Sequence, residues 1–518
     1  MSCRREKEGT RAGILLEELI ERNIDQLFLN YDVVCAHPYR IIRNADLTID
    51  EDDAADLLME IQKQLEKTAV GRSDPAGSGG QNRPEAAEDS EKEFDIKPED
   101  IYSISGPLDL TFLMKVYGVE GFEHLKTPPY TPQPVPALEN ETDIFAAVRK
   151  KDIFLHHPYE TFDPVVNFVR QAARDPQVLA IKQTLYRVSG HSPIVAALAQ
   201  AAENGKQVSV LVELKARFDE ENNIIWAKML EKAGCHVIYG LVGLKTHSKI
   251  TLVVRREEDG IRRYVHLGTG NYNDSTAKLY TDCGIMTCQE AIGEDATAVF
   301  NMLSGYSEPR RWNRLSLAPI WLRDKFLSLI RREADHAREG QPARIIAKMN
   351  SLCDQEVIAA LYEASAAGVK IDLIIRGICC LKVGIPKVSE NITVRSIVGT
   401  FLEHARMFYF QNGGQEEYYM GSADWMPRNL DKRVEILFPV EDEDLKKEVR
   451  HILEIQLADT LKAHELKADN GYEKIDKRGK ALLCAQEYFC EEARQRARKP
   501  ADPAATRVFI PAEPAEEE

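Results

Sequence analysis

The sequence predicts an α/β (α+β) chain: two tandem α/β domains preceded by a small mixed head domain. Three observations carry that reading. Short apolar runs alternate with amphipathic helical stretches over most of the chain. One block of this pattern, beginning at Ala197, returns at Ala360. Two breaks in composition divide the rest, a Gly, Pro and Ser-rich stretch at 70–93 and the Pro-rich TPPYTPQPVPAL at 127–138. The expected boundaries are 1–130 for a partial head domain with a disordered insertion at 70–93, 131–315 for the first repeat, 316–495 for the second, and 496–518 for a disordered tail.

In chain order, residues 11–29 place Ile14, Leu15, Leu19, Ile20 and Ile24 at helical spacing. An extended piece is expected within YRIIRNADLTI (39–49), then a second helix over AADLLMEIQKQLEK (54–67). After the 70–93 stretch, order resumes at DIYSISGPLDLTFLMKVYG (100–118). Beyond the prolines come the strand VLAIKQTLY, the helix SPIVAALAQAAENG, the strand QVSVLVEL and the helix NNIIWAKMLEKAG. That alternation predicts βα units and a mainly parallel sheet.

The bulk numbers exclude several classes. At 518 residues the chain accommodates about three domains. Its 44% hydrophobic and 29% charged content suits a globular enzyme. A net charge of −16 argues against general binding to nucleic acid or acidic membranes, while allowing a local cationic cleft. The ten cysteines include no CxxC pair, and no apolar run reaches the ~18 residues needed to span a bilayer. A cytoplasmic protein with reduced thiols is the expectation.

One stretch carries the functional argument. In GLKTHSKITLVV (243–254), strand alternation puts His247 and Lys249 on one face, with Ile250 and Leu252 on the other. A solvated strand face explains this pattern alone. The repeat changes the balance. ALAQAAENGKQVSVLVELKAR matches ALYEASAAGVKIDLIIRGICC, with Gly205 and Gly368 at the expected left-handed caps. AIKQT matches IAKMN and sets Lys182 opposite Lys348, and KTHSKI matches LEHARM and sets His404 and Arg406 opposite His247 and Lys249. Each half then reaches a small-residue turn, GTGN from Gly268 and GSAD from Gly421. Burying a cation twice on an apolar strand is costly unless an anion meets it. Two histidines framed by cations suit phosphoryl transfer, where imidazole attacks phosphorus and cations balance the transferred charge.

His-x-Lys followed by a Gly-Asn turn resembles the phospholipase D superfamily, which implies two tandem phospholipase D-like α/β domains. That pattern's aspartate is absent, since Val254 and Gln411 stand in its places. The segments IKQTLYR, ELKARFDE, GLKTHSKI, HLGTGNYN, KLYTD, AKMNSL, LIIRGICCL and GSADWMPRNLDKRVE are together similar to polyphosphate kinases of the histidine-phosphorylated type. The likeness covers about 130–480 as two C-terminal catalytic domains and, less tightly, 10–125 as a head domain.

That resemblance implies reversible transfer of the ATP γ-phosphate to inorganic polyphosphate through a phosphohistidine. It implies His247 as the nucleophile and His404 as acid–base partner or phosphate stabiliser. Tyr280 and Arg376, with His404, would contact the nucleotide. Arg187 and Arg217 fall at the family's Mg²⁺ and phosphate positions; an arginine has no lone pair for a metal, so phosphate oxygens shared with Mg²⁺ are the expected contact. Lys249, Arg406, Lys182 and Lys348 are expected to meet phosphates, with Lys432 and Arg433 as further lining and Asp282 as an orienter of imidazole. ATP or ADP, polyphosphate and Mg²⁺ are the expected ligands, and a homodimer or higher homo-oligomer the expected assembly. The family's N-terminal helical domain, which contributes to nucleotide binding, is expected to be missing. The alternatives are a non-catalytic polyphosphate binder and a phospholipase D-like phosphodiesterase.

Overall fold

A computed structural model describes residues 2–7, 10–34, 36–42, 74–79, 102–139, 141–214, 220–241, 243–305, 307 and 309–498. The chain divides into two compact units, one of residues 1–49 and 59–129 and the other of 50–58 and 130–518.

In the smaller unit, Ser2–Lys7 pairs antiparallel with Thr10–Ile14, and Tyr39–Ile42, Asp74–Gly79 and Tyr102–Ile104 form a three-stranded sheet. The helix expected over 11–29 is not continuous. Its start is drawn into the hairpin, and only Leu16–Glu21 is α-helical before a 3₁₀ turn at Ile24–Gln26. Of the stretch 70–93, the described residues are Asp74–Gly79, which lie in that sheet. The helix expected over 54–67 lies outside the described residues.

The larger unit holds two sheets of matching plan. In the first, Val178–Leu185 runs parallel to Gln207–Val212, which runs parallel to His236–Ile238. On the other side, Val178–Leu185 meets Ile250–Glu257 antiparallel, followed by Gly260–Gly268 and Tyr280–Thr287. In the second, Arg344–Met349, Lys370–Ile375 and Ile392–Ile397 are parallel, and Arg406–Phe410, Glu417–Gly421 and Ile436–Val440 extend it antiparallel. Both sheets are therefore mixed rather than mainly parallel. The strands after each histidine are joined by direct reversals, in the first half across Glu258 and Asp259 with Gly260 at φ 129°, and tight reversals give antiparallel neighbours.

The helices follow their sequence signals. Pro193–Glu203 starts on a Ser192 cap, Gln355–Ala366 starts on an Asp354 cap, and both lead to left-handed glycines, Gly205 and Gly368. One apolar cluster runs from Ile250, Leu252 and Leu267 in the first half to Met407, Met420 and Ile436 in the second. Burying each such side chain stabilises by about 1.5–3 kcal/mol, so the two halves share a core and hold their facing strand ends at fixed spacing. The C-terminal helix Ala485–Arg498 extends past the expected start of the tail at 496, and 499–518 lie outside the described residues. Among the described residues no helix is long and apolar enough to cross a membrane.

Candidate active site

Each histidine follows a two-residue strand that pairs with the opposite half. Lys245–Thr246 runs parallel to Arg433–Val434, and Leu402–Glu403 runs parallel to Tyr280 and Thr281. The backbone N–H groups of His247 and Ser248 donate to Val434 O at 2.9 and 3.0 Å, and that of His404 donates to Thr281 O at 3.2 Å. The residue after each paired dipeptide is a carboxylate that reaches the visiting imidazole. His247 Nδ1 lies 2.9 Å from Glu435 Oε2, and His404 Nδ1 lies 2.8 and 2.9 Å from the oxygens of Asp282. A hydroxyl from each small-residue turn steadies the carboxylate. Thr269 Oγ1 donates to Asp282 at 2.7 Å and accepts from Cys283 N at 3.0 Å. Ser422 Oγ donates to Glu435 and accepts from Ile436 N at 3.0 Å.

The two stations differ in charge. Burial, reinforced by Lys249, pushes His247 well below the usual histidine range, so its imidazole is neutral at pH 7. Burial raises Glu435 to about 7 against the pull of Lys249 and Arg433. Burial also works to raise Asp282, but the His404 imidazole and its hydrogen bond hold that carboxyl below the ordinary value. On the second side, Arg406 straddles Asp424, with Nε and Nη2 each 3.2 Å from a carboxylate oxygen. Its Nη1 lies 3.1 Å from His404 Nε2. On the first side the corresponding cation is Lys249, 1% exposed, which donates to His247 O and lies 5.5 Å from the Tyr186 ring centroid. Where the second half has Asp424, the first has Asn271, whose buried Oδ1 has no hydrogen-bond partner among the described residues. Burial drives the Lys249 ammonium well below its ordinary pKa. Among the described residues no hydrogen bond engages His247 Nε2. The Tyr186 ring stands edge-on to this imidazole, centroids 5.0 Å apart at 90°.

The remaining expected residues distribute unevenly. Tyr280 packs beside His404, ring centroids 5.4 Å apart. Arg376 donates from Nε to Asn350 Oδ1 at 2.6 Å, and burial, then repulsion from Arg406, lowers its pKa. Arg433 Nη1 is 3.9 Å from Glu435 Oε1, while Lys432 is exposed. Arg187 lies over the Tyr186 ring at 5.9 Å, and Arg217 lies outside the described residues. Neither arginine supplies a metal ligand, and among the described residues no group of three His, Cys, Asp or Glu side chains suits a metal ion.

One lysine assignment needs correction. Lys182 does not stand opposite Lys348, because the strand registers make Thr184 the counterpart. Ala180 pairs with Gln207 as Arg344 pairs with Lys370. Thr184 Oγ1 bonds Ser248 O at 2.8 Å just as Lys348 Nζ bonds Ala405 O at 3.2 Å. Lys182 sits two residues earlier, half-buried and with no ion pair among the described residues. Lys348 is buried in an ion pair with Glu403 at 3.0 Å. Glu403 also accepts from Thr281, Gln456 and Gln486. Lys348→Ala would keep those bonds but strand a buried negative charge, so chemical denaturation should show a loss of about 3 kcal/mol.

Sequence reasoning had anticipated Asp282 and missed Glu435, Ser422, Tyr186 and Asp424 as working groups. Extending the repeat comparison to KLYTD against DKRVE sets Asp282 opposite Glu435, a signal available in the sequence alone.

Family profiles described as polyphosphate kinase C-terminal domain 1, C-terminal domain 2 and middle domain match residues 143–309, 315–486 and 2–116. The chain is 57% identical over 462 residues to a polyphosphate kinase of Halalkalibacterium halodurans, covering 89% of this chain and 66% of that protein. It is 50% identical over 486 residues to one of Lactiplantibacillus plantarum, covering 93% and 67%. The crystal structure of polyphosphate kinase from Porphyromonas gingivalis superposes with a TM-score of 0.80 at 34% identity, covering 93% of this chain and 70% of that one. The chain thus spans 66% of the length of the first of these curated relatives.

Proposed function

The chain belongs to the polyphosphate kinase family, and on that premise we propose that it transfers the γ-phosphate of ATP reversibly to the end of an inorganic polyphosphate chain through a phosphohistidine at His247. The observation that carries this reading is a His247 imidazole whose Nδ1 is held by Glu435 while, among the described residues, no hydrogen bond engages Nε2 and no carboxylate lies within salt-bridge distance of the buried Lys249 beside it.

With Nδ1–H donated to Glu435, the lone pair is on Nε2, as a nucleophile requires. Attack forms an N–P bond as the γ-phosphorus–oxygen bond to ADP breaks. The terminal oxygen of polyphosphate then takes the phosphoryl group and releases the imidazole. Lys249 and Arg376 balance charge on the transferred oxygens, and burial strengthens that attraction. His404, with its proton on Nδ1 facing Asp282, stays neutral and steadies the opposite side. Tyr280 and Arg376 contact the nucleotide on that side. Mg²⁺ enters with the ATP phosphates as part of the substrate. ATP as substrate fits a cytoplasmic protein.

Incubation with γ-labelled ATP and Mg²⁺ should leave an acid-labile, alkali-stable label, mapped by peptide sequencing to His247. Label on another residue overturns the assignment. Tight polyphosphate binding with no label supports the non-catalytic binder instead.

A further inference from the structure

We propose that Asp424 assigns the two histidines their roles: it holds Arg406 against His404 Nε2, withholding that lone pair and leaving His247 as the nucleophile. The inference rests on the phosphohistidine reading above and adds what breaks the symmetry between two otherwise matching stations.

The stations agree in nearly every part. Each has an imidazole, a carboxylate from the opposite half on Nδ1, and a turn hydroxyl on that carboxylate. Nothing in this set tells which ring attacks. Exposure does not favour His247 either, since its side chain is 9% exposed and that of His404 12%. The difference lies one layer away. A guanidinium has no acceptor, so the 3.1 Å contact between Arg406 Nη1 and His404 Nε2 requires Nε2 to accept. Arg406 is fixed there by Asp424 and by donation from Nη1 to His404 O at 2.9 Å. Asp424 is itself held by the backbone and side-chain nitrogens of Asn350 at 2.7 and 3.0 Å. In the first half the corresponding residue is Asn271, which is neutral. Lys249 turns to the His247 carbonyl, and among the described residues no hydrogen bond engages His247 Nε2.

Diethyl pyrocarbonate tests this without requiring kinase activity. It acylates an imidazole nitrogen through its lone pair, forming an N–C bond and releasing ethanol and CO₂. Modification of each histidine is followed by peptide mass mapping on the full chain. In the unaltered protein, His247 should react about tenfold faster than His404, one charge-assisted hydrogen bond's worth, although His404 is slightly the more exposed. In Asp424→Asn the guanidinium loses the charge that aims it and keeps its bond to the His404 carbonyl, so His404 Nε2 should be released and gain about tenfold while His247 keeps its rate, which also reports an intact fold. If Asp424→Asn does not fold, Arg406→Lys removes the same contact and should give the same gain. Equal rates in the unaltered protein, or an unmoved His404 rate in a folded variant, overturn the proposal. Separately, absence of γ-phosphate label from His247 would refute the kinase reading and leave the acylation result standing.

Discussion

Glu435→Gln is expected to slow phosphorylation of His247 by about 10³–10⁴-fold, the scale seen when the carboxylate orienting a catalytic histidine is neutralised, while the protein stays folded. Only the ionised carboxylate accepts a proton at every lone pair, so only it fixes the hydrogen of His247 on Nδ1. Ser422 Oγ and His247 Nδ1 both meet Oε2, so a glutamine that turns its amide N–H₂ to that position faces Nδ1 with a donor while Ser422 Oγ accepts from the same group. The ring hydrogen then moves to Nε2 and removes the attacking lone pair. The same reasoning gives a pH dependence with a definite sign. Burial raises Glu435 to about 7. Above that value the carboxylate is ionised and the productive tautomer is held. Below it Glu435 carries a proton and donates it to Nδ1, so the single-turnover rate should fall as pH drops through about 7. The glutamine variant should lose this limb of the profile along with the rate. A variant within tenfold of the parent, or a flat profile in the parent, removes Glu435 from the mechanism.

The fold was largely legible because its signals are local. The Ser192 and Asp354 caps, the glycines at 205 and 368, and the short apolar strands each act within a few residues. The antiparallel flank was missed because periodicity fixes a strand and not its direction. Both histidines and their neighbouring cations were found because a buried strand rarely carries charge twice in register. Their carboxylates were harder to see. Glu435 is 188 positions from His247 and Asp282 122 from His404, and the pairing depends on the exchange of two-residue strands between halves. No single-segment pattern encodes such an exchange. The Lys182 assignment failed for a related reason. Matching lysine to lysine ignored the hydrogen-bonded register, in which a threonine hydroxyl in one half replaces an ammonium in the other, both satisfying the same backbone carbonyl position. Polar satisfaction was preserved between the repeats while residue identity was not.

Lys249→Met should separate activity from stability, cutting the single-turnover rate by about 10²–10³-fold, as expected for losing one preorganised electrostatic contact. Lys249 is 1% exposed and has no carboxylate within salt-bridge distance among the described residues, whereas Arg406 in the matching place has Asp424. A buried cation whose largest attraction comes from Glu435, beyond contact distance, is poorly compensated and gains most when a phosphate arrives. Methionine keeps the length and apolar stem and abandons no ion pair. The stability sign follows from linkage. Burial depresses the Lys249 pKa, so below the ordinary lysine value of ~10.4 the unfolded chain binds a proton that the folded chain resists. The lysine therefore costs stability at neutral pH, and the methionine variant should unfold at a temperature no lower than the parent. A second consequence runs through Glu435, whose ionisation Lys249 favours more than any other neighbouring charge. Without the ammonium, burial acts on Glu435 less opposed and its pKa moves above about 7. The alkaline-rising limb of the rate profile should shift upward, so raising the pH restores part of the activity the substitution removes. A profile that keeps its midpoint, or a variant that unfolds well below the parent, would mean that Lys249 serves the fold instead of the phosphate.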